Sequence, residues 1–109
     1  MQDETRRAKI EAMLADDPTD TFLRYSLAME LQKEGDFDGS LASFNDLMAD
    51  DPPHVPSFFM AGKLLVQLQE VERARTVLRD GIEQARAQND QHAAAEMSEF
   101  LMALGARPE

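Results

Sequence analysis

Leu14-Ala15-Asp16-Asp17-Pro18 returns as Met48-Ala49-Asp50-Asp51-Pro52, and the two prolines stand 34 residues apart. A chain that copies itself at this period, with helical periodicity between the copies, reads as an array of helical hairpins. One hairpin of that size cannot bury its own apolar face, so hairpins stack and share a continuous core. Such stacks curve and present a concave surface to partners. The period therefore predicts an all-α fold of stacked helical hairpins.

Working outward from the two DDP turns, apolar residues recur at helical spacing in six segments punctuated by Pro, Gly, Asp or Asn. The first helix is expected from about Asp3 to Ala15, with its apolar stripe late, at Ile10, Met13 and Leu14. After Pro18 a second runs from about Thr21 to Lys33, capped by Asp20 and burying Leu23, Leu27, Ala28 and Leu31. Gly35 supplies a left-handed exit, and Asp36 caps a third helix from about Phe37 to Ala49 with Phe37, Leu41, Phe44, Leu47 and Met48 on one side. The fourth, about Val55 to Leu68, is apolar around most of its circumference, which marks a helix that is central or binds something. The fifth, about Val71 to Gln88, stacks Val71, Ala74, Leu78, Gly81, Ile82 and Ala85. No third DDP follows; Asn89 takes a left-handed turn and Asp90 caps a last helix from about Gln91 to Leu104. Ala93, Met97, Phe100, Leu101 and Leu104 form its stripe, with Glu96 and Glu99 on the wet side, a pattern suited to a terminal cap.

Composition bounds the function. The 109 residues, 43% apolar and 6% aromatic, fit one small domain. A net charge of −10, from 21 acids against 11 bases, disfavours nucleic acid, whose binding relies on clustered Lys and Arg. There is no long apolar run, basic amphipathic helix or lipidation signal, and Met1-Gln2-Asp3-Glu4-Thr5-Arg6-Arg7 leads into no signal-peptide core, so no membrane role and a cytoplasmic location are expected. With no cysteine there are neither disulfides nor thiolate chemistry, and the redox compartment stays open.

The residues resemble the tetratricopeptide repeat family. Its pattern of W-x2-L-G-x2-Y, then A-x3-F, then P is met by Arg24-x2-Leu27-Ala28-x2-Leu31, Ser40-x3-Phe44 and Pro52, and again by Phe58-x2-Ala61-Gly62-x2-Leu65 and Ala74-x3-Leu78. The tryptophan, the tyrosine and the second proline of the pattern are missing, but the period holds. The resemblance is strongest over residues 18–86. It implies an all-α right-handed superhelix of about six antiparallel helices and one domain, 1–109, made of an N-terminal helix (1–17), repeat 1 (18–52), repeat 2 (53–88), a capping helix (89–105) and a tail (106–109). A generic six-helix bundle is the alternative.

In this family the first helix of each hairpin lines the inner surface. Carried over, the groove would display Phe22, Tyr25 and Met29, then Phe59, Lys63 and Val66. Aromatics and a methionine facing a concavity suit an apolar side chain or an amphipathic helix. The competing reading has the terminal helix fold across Phe22 and Phe59; Tyr25 is expected to stay exposed. A family subclass grips C-terminal carboxylates with Lys, Asn and Arg from three inner helices. The matching positions here, Tyr25, Met29, Met60, Asp90 and Ala94, supply no cation or amide, which argues against that ligand.

No catalytic or cofactor constellation is read. His54 and His92 lack cysteine partners and zinc spacing, and His54 reads as flanking a helix start. Asp36-x-Asp38-Gly39 holds only a fragment of a calcium loop and reads as acids opposing a helix dipole. Ser26, Ser40, Ser43 and Ser57 have no readable His-Asp partners. The expectation is a non-enzymatic, metal-free and cofactor-free interaction module or adaptor binding a peptide or helical segment of another protein. Its alternative is a homo-oligomerising structural subunit, such as a homodimer, using the same surface.

Overall fold

The computed structural model describes residues 5–105, which form six helices and no strand. They are α1 (Arg6–Asp16), α2 (Thr21–Lys33), α3 (Phe37–Met48), α4 (Val55–Gln67), α5 (Val71–Ala87) and α6 (Gln91–Gly105). The expected start of the first helix at Asp3 and the tail 106–109 lie outside the described residues. The chain divides into two compact units, the first ending at Leu47 and the second beginning at Met48.

Three inter-helix turns follow one design. Gly35 (φ 89°), Gln69 (φ 64°) and Asn89 (φ 64°) each take the left-handed conformation. The N–H after each donates to a carbonyl five residues back: Asp36 to Leu31 at 2.9 Å, Glu70 to Leu65 at 2.8 Å and Asp90 to Ala85 at 2.7 Å. The left-handed residue itself donates three residues back, completing the Schellman arrangement that satisfies the orphan carbonyls of a helix end. The next helix starts at once, because Asp36 Oδ1 accepts from the Gly39 N–H at 3.0 Å and Asp90 Oδ1 from that of Ala93 at 3.1 Å. Asp20 caps α2 in the same way, at 2.8 Å from the Leu23 nitrogen. Each such cap contributes about 1 kcal/mol.

In the first unit, Ala28, Leu31, Leu41, Phe44 and Leu47 are buried along α2 and α3. The buried Ser40 hydroxyl donates to the Ala28 carbonyl at 2.7 Å, which ties α3 to α2 and satisfies a polar group that would otherwise be costly to bury. Leu23 and Leu27 are only half-buried. Ile10 anchors α1 and Leu14 is half-buried, whereas Met13 is 49% exposed, so the stripe expected on this helix is narrower than its apolar spacing implied. Ion pairs add to that anchor: Arg6 Nε lies 3.0 Å from the buried Glu30, and Arg7 reaches Glu34 and Glu11, each at 3.2 Å. Glu11 first, then Glu34, holds the Arg7 guanidinium above its ordinary pKa.

In the second unit, Val55, Phe58, Leu78, Ile82, Ala85, Ala94, Met97 and Leu104 make one core. Small residues set its spacing. A Cβ on Gly62 would stand 2.7 Å from Leu78 Cδ2, and one on Gly81 would stand 2.5 Å from Phe58 Cβ and 2.6 Å from Met97 Sδ. Gly81 is thus a socket in α5 that α4 approaches and that receives Met97 of α6. Two hydrogen bonds tie the ends of this unit: Gln88 Nε2 donates to the Pro53 carbonyl at 2.8 Å, and Arg75 to the Leu104 carbonyl at 3.4 Å.

Candidate partner-binding site

The residues expected to line a groove fall on two helices. On α2, Phe22 is 74% exposed, a large apolar side chain left in water. Tyr25 is half-buried, contrary to the exposure expected for it, because its ring packs against Phe44 with centroids 6.0 Å apart. That burial raises its phenol pKa above the usual 10.0, since the phenolate loses solvation. Met29 is half-buried as well.

On α4, Phe59, Lys63 and Val66 are all half-buried. Phe59 and Val66 lean on the core of the second unit, so neither stands clear of it. Phe100 of α6 meets the Phe59 ring edge-to-face, with centroids 5.7 Å apart and planes at 71°. Lys63 Nζ sits 4.2 Å from the centroid of the same ring, a cation–π distance. The terminal helix therefore reaches Phe59 without sealing it. A cleft of about 310 Å³ remains, lined by Phe59, Phe100, Glu96 and Glu99.

Phe100, Glu96 and Glu99 were not among the residues expected at the site. Their helical spacing placed Phe100 on a core stripe and the glutamates on a solvated face, and both placements hold locally. What the pattern could not convey is that α6 brings the edge of its stripe against the exposed rim of α4. The i, i+3 spacing of Glu96 and Glu99, with Phe100 next to the second, was the available signal.

The remaining candidates have structural work. Asp90 caps α6 and Ala94 is buried, so neither offers a carboxylate grip. His54 Nδ1 lies 2.7 Å from the hydroxyl of the buried Ser57 at the start of α4. His92 Nε2 lies 3.6 Å from Glu96. Among the described residues no three His, Asp or Glu side chains converge as a metal-binding group, and no helix is long and apolar enough to cross a membrane.

The family model for the tetratricopeptide repeat matches residues 31–98, from the end of α2 into α6. The chain belongs to the tetratricopeptide repeat family. Two solved structures carry the same fold. A tetratricopeptide repeat domain protein from Salinibacter ruber is 31% identical, with a TM-score of 0.78 over 84% of this chain and 94% of that one. A protein from Bordetella parapertussis is 25% identical, with a TM-score of 0.80 over 94% of this chain and 90% of that one. A comparison with curated proteins yields no match. Tetratricopeptide repeats are in general non-catalytic scaffolds that mediate protein–protein interaction.

Proposed function

We propose that this tetratricopeptide repeat protein is a non-enzymatic interaction module that holds a peptide or helical segment of another protein against the aromatic face of α4. The observation that carries the reading is the open cleft over Phe59 and Phe100, an aromatic floor with a polar rim. Aromatic residues in partly desolvated clefts supply most of the energy of such contacts. A site this small implies affinity of order micromolar, about −8 kcal/mol. The acidic chain, at −10, supports a protein partner over a nucleic acid.

The test is a pull-down from cell extract comparing the wild type with Phe59→Ala, with retained proteins identified by mass spectrometry. Thermal melts by circular dichroism show whether the variant still folds. A protein retained by the folded wild type and released by the folded variant is the expected result. Equal retention by both would sink the reading. The 72% exposure of Met102 on α6 favours self-association as the second reading. It requires a mass that rises with concentration in sedimentation, and a constant monomer mass would remove it.

A further inference from the structure

We infer that the cleft between α4 and α6 takes an arginine or lysine side chain flanked by apolar residues, so that the partner segment is basic and amphipathic. The inference rests on the proposed function and adds the chemistry of the occupant. Two of the four lining residues are glutamates, Glu96 and Glu99, three residues apart and so on one side of α6. Neither carboxylate pairs with a lysine or arginine among the described residues. Among the described residues Glu99 has no ion-pair or hydrogen-bond partner. Glu96 has only His92 at 3.6 Å, a pair that counts when the imidazole is protonated. The single charged residue of α4, Lys63, is placed over the Phe59 ring.

The rim is therefore negative over an aromatic floor, within a chain that is itself strongly acidic. A purely apolar occupant would strip water from two carboxylates and return nothing to them. An acidic occupant would be repelled. A guanidinium or ammonium pairs with the glutamates, its aliphatic stem lies along the rings, and the acidic field of the chain speeds its arrival. The volume, about 310 Å³, sits at the lower end of the ~300–1,000 Å³ typical of ligand pockets and admits one or two side chains.

The test pans a displayed library of random 12-residue peptides against the purified full chain, then titrates one selected peptide into the 15N-labelled protein. The expected binders carry Arg or Lys beside apolar residues and shift the amide signals of Glu96, Glu99 and Phe100. Both glutamates are exposed, so Glu96→Gln/Glu99→Gln keeps the fold, and it should weaken the peptide about tenfold, as should citrulline in place of arginine. Binders without basic residues, acidic binders, or affinity that survives the double variant would overturn the inference and leave the interaction reading standing. Recovery of no binder at all would overturn both.

Discussion

Replacing Gly81 by alanine tests the packing of the second unit by its sign. In an unobstructed helix interior, Gly→Ala stabilises by about 1 kcal/mol, because glycine gives up more backbone freedom on folding. At Gly81 the new Cβ would stand 2.5 Å from Phe58 Cβ and 2.6 Å from Met97 Sδ. Carbon atoms in contact sit about 3.5–4.0 Å apart, so roughly 1 Å must be found. Met97 is a flexible side chain and can yield, but Phe58 Cβ is fixed to the backbone of α4, so α4 and α5 must separate. Overpacking of this kind costs about 1–3 kcal/mol, and a backbone-fixed neighbour places it at the upper end. Subtracting the propensity gain leaves a net loss of about 2 kcal/mol. For a domain near 100 residues that lowers Tm by about 8 °C or more. Urea and thermal unfolding followed by circular dichroism measure it, with Gly105→Ala as the control, since a Cβ there meets nothing within 4 Å. A Gly81→Ala protein as stable as the wild type, or more stable, would refute the close approach of α4, α5 and α6.

Two further outcomes follow from local conformation and from burial. Gln69 holds a left-handed backbone (φ 64°) that costs a residue with a Cβ roughly 1–2 kcal/mol, so Gln69→Gly should stabilise by about 1 kcal/mol; a lowered urea midpoint would contradict the turn described here. The Tyr25 phenol, its pKa raised by burial, keeps its proton longer folded than unfolded. Its contribution is complete below pH 10 and is lost as pH climbs from there through the raised folded value. Urea midpoints measured from pH 8 to 11 should fall more steeply for the wild type than for Tyr25→Phe. A constant difference between the two would contradict the burial.

Much of the fold was legible because its signals are local. Asp20, Asp36 and Asp90 are recognisable as caps and Gly35 and Asn89 as left-handed turns, each from the preference of a short polar side chain or a glycine for that backbone. Gln69 was not legible as a left-handed residue, since nothing in its chemistry favours the conformation. It is held there by the same hydrogen-bond pair that closes the other two turns. Met13 was not legible as exposed for a different reason: helical spacing shows which side of α1 is apolar but not how wide a strip of that side is covered, and Met13 stays exposed while Ile10 is buried and Leu14 half-buried. The site was the least legible part. Tyr25 and Phe59 lie 34 residues apart, at the same place in the repeat, yet one packs on Phe44 of its own hairpin and the other meets Phe100 of a helix beyond it.

That difference traces to the position where the repeat breaks. Counting 34 residues on from the buried Leu47 gives Gly81, so the first unit fills with its own leucine a place that the second leaves open. Met97 enters that opening and is fully buried there. The depth of Met97 in the socket and the cap at Asp90 together fix two points along α6. Phe100 follows Met97 by three residues, almost one turn, and is thereby carried onto the edge of Phe59, with Glu96 and Glu99 beside it. The missing side chain at Gly81 thus lets Met97 seat at a depth that sets Phe100 beside Phe59. A substitution that shuts the socket should disturb the Phe59–Phe100 pair before it unfolds the chain.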